Sequence, residues 1–234
     1  MARPIILLMV LLIGVCGGSH RQVLAQEAET LARARPFEPL FVEAGQRYGV
    51  DPRLLWTIAY LETRFRPGLI SPKGARGLMQ FMPATAARYR LLDPLNPRQS
   101  IDAAARYVHD LSSRFGSRIE LILAAYNAGE GTVEAFRSGH SLIHADGKII
   151  NAQNLKTDGV PPYLETVAYV ARGAAIFRHL RGDHRLQPDS ILIEKPEIKR
   201  VETSIYTHHA PPAPVILMPS ASTRPRQTRS IYIH

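Results

Sequence analysis

Apolar positions recur at helical spacing through most of this chain. Phe37, Leu40, Phe41, Ala44 and Tyr48 form one such series, and Gly49 stands where a left-handed terminator belongs. Asp51-Pro52 restarts the chain. The aspartate can cap free backbone amides, and the proline suits a first helical turn because its missing N–H would be unpaired there anyway. The pattern predicts a helix from Pro52 through Phe65, ending before Pro67-Gly68. A loop over 69–77 then leads to a short element around Leu78 to Met82, and Pro83 opens another helix. Asp93-Pro94-Leu95-Asn96-Pro97 is a break. Ile101, Ala104, Ala105, Val108 and Leu111 mark an amphipathic helix, 119–127 a further one, and 163–180 the last. Between the last two, over 138–160, Asp146-Gly147 is flanked by Leu142-Ile143-His144 and Ile149-Ile150. This is the signature of a hairpin with a two-residue type I′ turn. The fold class is therefore mainly α with one small hairpin, and no internal repeat is present.

The two ends read differently. Arg3 precedes an apolar run from Ile5 to Val15, 11 residues against the roughly 20 that a spanning helix needs. With small residues after that run and the short side chains of Val23-Leu24-Ala25, residues 1–25 read as a secretory signal peptide cleaved before Gln26. A lipoprotein anchored through Cys16 is the competing reading, weakened by bulky Val15 directly before the cysteine. Residues 26–35 read as a leader to the domain at 36–181. From Gly182 on, composition shifts: 203–234 hold no acid, three arginines and five prolines, so 182–234 read as a flexible basic tail.

Charge narrows the partners. Lys plus Arg is 29 against 20 acids, a formal +9 in 234 residues. Removing residues 1–25 takes away Arg3, Arg21 and no acid, leaving +7, and it also removes the single cysteine. A thiol-free exported protein suits an oxidising compartment, and export demotes nucleic acid as the anionic partner in favour of a wall polymer or phospholipid surface. The expected location is the periplasm.

One carboxylate stands out. Leu54, Ile58, Leu61 and Phe65 form an apolar stripe, and Glu62 lies on its flank. Partial desolvation there disfavours the charged form and makes a proton donor near neutral pH. The plainer alternative is an exposed glutamate paired with Arg66 at i+4.

The residues around it form an ordered set. Leu61-Glu62-Thr63-Arg64-Phe65 is followed by Ser71-Pro72-Lys73-Gly74-Ala75-Arg76-Gly77-Leu78-Met79-Gln80-Phe81-Met82-Pro83. Then come Ala124-Ala125-Tyr126-Asn127-Ala128-Gly129 and Pro162-Tyr163-Leu164-Glu165-Thr166-Val167-Ala168-Tyr169-Val170. Over roughly 37–180 these motifs together resemble the soluble lytic transglycosylase (SLT) domain, a lysozyme-like family that cleaves peptidoglycan. The resemblance implies that Glu62 is the single essential acid and that Tyr169 supplies the hydroxyl reaching it. It implies that Ser71, Gly77, Met79 and Gln80 belong to a loop and short helix lining the glycan cleft, with Tyr126 and Asn127 beneath and Tyr163 among the substrate contacts. Met79 and Tyr126 could equally be plain core, and Gly77 a backbone requirement. Thr63 stands where serine is commoner, and Ser100 and Ala104 where the family tends to have asparagine and glycine.

Glycosidases generally flank the scissile bond with two carboxylates, about 5–5.5 Å apart for retention or 6.5–9.5 Å for inversion. Here one is nominated, since Asp93, Asp102, Asp110 and Glu165 fall in loops or on helix surfaces. The resemblance implies a single-acid route in which the substrate's N-acetyl group and C6 hydroxyl complete the chemistry and leave a 1,6-anhydromuramic acid end. No cofactor or metal is expected; His140 and His144 are spaced i, i+4 but fall outside a helix. The competing functions are a muramidase that uses water on the same fold, and an inactive wall-binding component of a secretion or conjugation machine.

Overall fold

The structure is a computed structural model and describes residues 22, 25–143, 147–181 and 186. Residues 1–21 with Cys16, 23–24, and nearly all of 182–234 lie outside the described residues, and with them the lipid anchor and nearly all of the signal peptide and flexible tail read from the sequence.

Helix α1 covers 25–34. The stretch read as a leader is thus folded helix, with Thr30 and Ala34 buried. One 3-10 turn, Arg35–Phe37, passes into α2, Glu38–Tyr48, which Gly49 ends at φ 66°. Helix α3, Pro52–Thr63, opens as the sequence dictates: Asp51 Oδ1 accepts from the Arg53 amide at 2.9 Å and Pro52 occupies the first turn. It stops two residues short of the expected Phe65. Arg64 and Phe65 adopt φ of 49° and 61°, which costs each about 1–2 kcal/mol. That turn swings Phe65 back against Trp56, with ring centroids 4.7 Å apart, and leaves it 1% exposed. Burying a ring of that size returns about 1.5–3 kcal/mol, comparable to the backbone cost.

The element expected around Leu78 to Met82 is a turn, not a helix. Arg76 and Phe81 exchange backbone hydrogen bonds at 3.0 Å in both directions, and Gly77 and Gln80 between them have φ of 77° and 50°. Helix α4, Pro83–Arg88, follows, then α5, Pro97–Phe115, capped by Asn96 Oδ1 accepting from the Gln99 amide. In α5 the Ser100 hydroxyl is buried without a hydrogen-bond partner among the described residues.

Helix α6, Ile119–Ala128, buries all five residues from Leu121 to Ala125, so it is the central helix of the core. Gly129 alone, at φ 88°, separates it from α7, Glu130–Ser138. The sequence reading missed α7 because Gly129-Glu130-Gly131 reads as a breaker, although Thr132, Val133, Ala135 and Phe136 form a buried face. Helix α8, Leu164–Leu180, packs against α6 and α3. A Cβ on Gly173 would stand 2.7 Å from Leu123 Cδ1, so a larger residue at this crossing would make the Leu123 side chain shift. Leu186, beyond the expected domain end at 181, is buried in the same core.

The hairpin exists, as β1 (Leu142–Ile143) and β2 (Ile149–Ile150), but its register differs. Ile143 faces Ile149, leaving the five residues 144–148 between them. An odd count is incompatible with a two-residue type I′ turn centred on Asp146-Gly147. Among the described residues, no helix is long and apolar enough to cross a membrane.

Candidate active site

Glu62 sits in the last turn of α3 and Tyr169 in the second turn of α8. The crossing of these helices brings together two residues 107 apart in sequence, and the Tyr169 hydroxyl donates to Glu62 Oε1 at 2.7 Å. Burial is the dominant influence on the carboxyl and pushes it from 4.5 up to about 7; the tyrosine hydrogen bond opposes this, and the negative charge of Glu165 adds to it. Glu165 lies one turn before Tyr169 on α8. No ion pair between Glu62 and Arg66 forms among the described residues, where Arg66 instead donates its amide to Thr63.

Thr63 ties this helix end to the turn. Its hydroxyl reaches the Leu78 carbonyl at 2.9 Å and is wholly within the core. The turn is held again from the opposite side, where the Tyr126 hydroxyl on α6 donates to the Met79 carbonyl at 2.9 Å. Burial, with the charge of Glu62 as the next influence, drives the phenols of both Tyr126 and Tyr169 well upward, so each remains a hydrogen-bond donor. Gln80 is locked to the turn because its Nε2 donates to the Gly77 carbonyl at 2.9 Å and the Leu69 carbonyl at 3.2 Å. Asn127 is oriented by Thr166, whose hydroxyl donates to Asn127 Oδ1 at 2.8 Å.

A cavity of about 470 Å³ opens beside this arrangement, lined by Gln80, Tyr126 and Asn127 together with Arg88, Glu130 and Leu142. Other sequence-nominated residues contribute differently. Met79 is fully buried, so its side chain belongs to the core and its carbonyl to the turn. Gly77 is where the backbone passes against Pro94. Ser71 Oγ accepts from the Ala75 amide at 3.0 Å and closes its own loop. Tyr163 stands directly before α8, without a side-chain capping bond, and packs edge-on to Phe136, centroids 5.6 Å apart, outside the lining of this cavity.

Sequence reasoning missed one cluster on the cavity wall. Arg88 pairs with Glu130 and lies over the rings of Tyr89 and Tyr107, at 5.0 and 5.2 Å. Tyr107 donates to Glu130 Oε2 at 2.8 Å. The available signal was Glu130 directly after the Ala-Tyr-Asn-Ala-Gly motif. Its partner Arg88 is 42 residues earlier, a pairing visible only in three dimensions. Among the described residues, no group of three or more His, Cys, Asp or Glu side chains converges as a metal site would require.

Known proteins align with this chain over the same region. The family described as Transglycosylase SLT domain matches residues 39–140. The membrane-bound lytic murein transglycosylase F of Pasteurella multocida is 41% identical over 183 residues, covering 74% of this chain and 37% of that protein. Its namesake in Hahella chejuensis is 40% identical over 112 residues, 45% of this chain and 22% of that one. The crystal structure of the 70 kDa soluble lytic transglycosylase SLT70 from Escherichia coli aligns at 25% identity with a TM-score of 0.49, covering 64% of this chain and 25% of that one. The chain thus spans well under half the length of the curated relatives it matches. Over residues 39–140, this chain is thus similar to the Transglycosylase SLT domain family.

Proposed function

We propose that the protein is a peptidoglycan lytic transglycosylase in which Glu62 acts first as general acid and then as general base. The observation that carries this reading is the Glu62 carboxyl, held up to about 7 by burial and oriented by the Tyr169 hydroxyl at 2.7 Å. A carboxyl poised there is partly protonated at neutral pH and can both give and reclaim a proton, which is the condition for efficient acid–base work at one residue.

In the first step, Glu62 protonates the oxygen between N-acetylmuramic acid and N-acetylglucosamine, and the C1–O bond breaks as oxocarbenium character builds at muramic C1. The substrate's own N-acetyl oxygen stabilises that centre. Glu62, now ionised, takes the proton of the C6 hydroxyl, whose oxygen closes onto C1. The products are a 1,6-anhydromuramic end and a free N-acetylglucosamine hydroxyl, with no water consumed. The Tyr169 hydrogen bond favours the ionised form between the two steps. Gln80 keeps a carbonyl oxygen, and Asn127 its amide donors, for the sugar amide and hydroxyl groups along the cavity.

The catalytic unit is proposed as 36–181, exported to the periplasm by residues 1–25, with 182–234 as a basic appendage toward wall or machine partners. The substrate-contact roles of Ser71, Gly77, Met79 and Tyr163 are part of the same proposal, Gly77 and Met79 acting through the backbone of the turn.

Digestion of purified sacculi followed by mass spectrometry tests the reaction class. Muropeptides ending in anhydromuramic acid, lighter by one water than reducing ends, are the expected product. Reducing ends alone would establish the muramidase reading, and no release would favour the inactive wall-binding component. Tyr169→Phe is expected to lower kcat by about tenfold with little change in KM, because the lost contact orients the proton donor rather than the glycan. Loss of that hydrogen bond also raises the Glu62 carboxyl further, so the alkaline limb of kcat/KM moves to higher pH. An unchanged kcat and limb would remove Tyr169 from the chemistry.

A further inference from the structure

We propose that a second site, built from four arginines on α2, α5 and the bend after α4, binds a phosphate group. The cavity is about 280 Å³ and is lined by Arg47, Arg90, Leu91, Arg98, Gln99, Asp102 and Arg106. None of these residues lines the cavity beside the Glu62–Tyr169 pair.

The pattern follows from helix spacing. Residues 98, 102 and 106 recur every four positions along α5, so they share one face. Arg47, on the last turn of α2, meets that face and pairs with Asp102 Oδ1 at 2.6 Å. Arg90 enters from the bend after α4, where its backbone is held at φ 52°.

Charge at this site is incompletely matched. Glu43 takes Arg47 at 2.6 Å and Arg98 at 2.7 Å. Asp102 takes Arg47 and the Tyr48 hydroxyl, with Arg106 at 3.5 Å. Four cations thus face two carboxylates, which leaves two positive charges. Among the described residues, the Arg90 guanidinium forms no ion pair and no hydrogen bond, its amide alone donating to the Ala87 carbonyl, and the buried Nε of Arg106 has no hydrogen-bond partner. A ligand with several acceptor oxygens and about two negative charges matches the excess charge and the free Arg90 guanidinium, and a phosphate monoester near neutral pH carries about −1.5 to −2. A carboxylate brings one charge and two oxygens, too few to match them. Arginine's planar fork of donors also matches phosphate geometry, and Leu91, largely buried, forms an apolar part of the wall.

Such a group can come from free phosphate or from the headgroup of a lipid. Calorimetric titration of the full chain with inorganic phosphate, at constant ionic strength and with acetate as control, tests the site. Phosphate is expected to bind and acetate to bind at least tenfold more weakly. Arg90→Gln and, separately, Arg98→Gln are expected to weaken phosphate about tenfold or more, the loss of one hydrogen bond to a charged group. Both side chains are exposed, so unchanged melting curves and unchanged lysis of sacculi are expected for both variants. Flotation with phosphatidylcholine vesicles containing phosphatidic acid identifies the source. Arg90-dependent retention competed by free phosphate assigns the lipid headgroup, whereas phosphate binding without retention assigns the free ion. Phosphate binding no tighter than acetate, or undiminished in Arg90→Gln, would overturn the proposal.

Discussion

Glu62→Gln is expected to lower the rate of glycan cleavage by about 10²–10⁴-fold, the contribution of a positioned general acid–base group, while leaving the fold intact. The amide keeps the shape of the side chain and can still accept from the Tyr169 hydroxyl, but it has no proton to give. The same substitution is expected to stabilise the protein in a pH-dependent way. The carboxyl titrates near 4.5 when solvated and near 7 in the folded chain, so between those values the folded state binds more protons than the unfolded one. Stability of the native protein therefore falls as pH rises through that window. Two and a half pH units correspond to about 3 kcal/mol at most. At pH 4 native and variant should melt together, and at pH 8 the variant should melt higher. Activity should follow the same group, with kcat/KM declining above about pH 7 as the free enzyme loses its acid. Wild-type lysis by the variant would end the assignment of Glu62, and equal melting at pH 8 would show that its carboxyl is not desolvated.

Gly77→Ala is expected to cost about 3 kcal/mol of stability. The residue has φ 77°, and a Cβ there would lie 1.8 Å from the Pro94 carbonyl oxygen, a backbone atom that cannot rotate away. The left-handed conformation alone costs a side-chain-bearing residue about 1–2 kcal/mol, and overpacking adds about 1–3 kcal/mol. For a folded unit of this size, that lowers the melting temperature by about 10 °C. Because Gln80 donates to the Gly77 carbonyl, the turn that faces the cavity shifts as well. Lysis measured well below the new melting temperature is therefore expected to fall too. A variant as stable as the native protein would mean that the chain relaxes around Pro94 at little cost.

Much of the fold follows from local rules. Asp51-Pro52, Asn96-Pro97 and Gly49 start and stop helices in the structure at the positions where their chemistry places them. The departures are equally local in appearance but have distant causes. Helix α3 ends at Thr63 because Phe65 is drawn onto Trp56, and Thr63 itself bonds to Leu78, 15 residues on. The 76–81 segment is a turn because Tyr126 and Thr63 hold its carbonyls from two sides. Helix α7 forms right after Gly129 and with Gly131 in its first turn, a pair that reads as a breaker, because its apolar face has a core to meet.

The sequence by itself determined the helical class, most helix starts, and Glu62 as the carboxylate to watch, since apolar spacing, caps and motif order act over a few residues. The tertiary structure alone decided how protonated that carboxylate is, because its state depends on burial and on a hydroxyl 107 residues away. It also decided which motif residues face the cavity and which, like Met79, serve the core, and it assembled the Arg88–Glu130 pair and the arginine cavity. Desolvation and electrostatics depend on what surrounds a group in space, and only the packed chain specifies those surroundings.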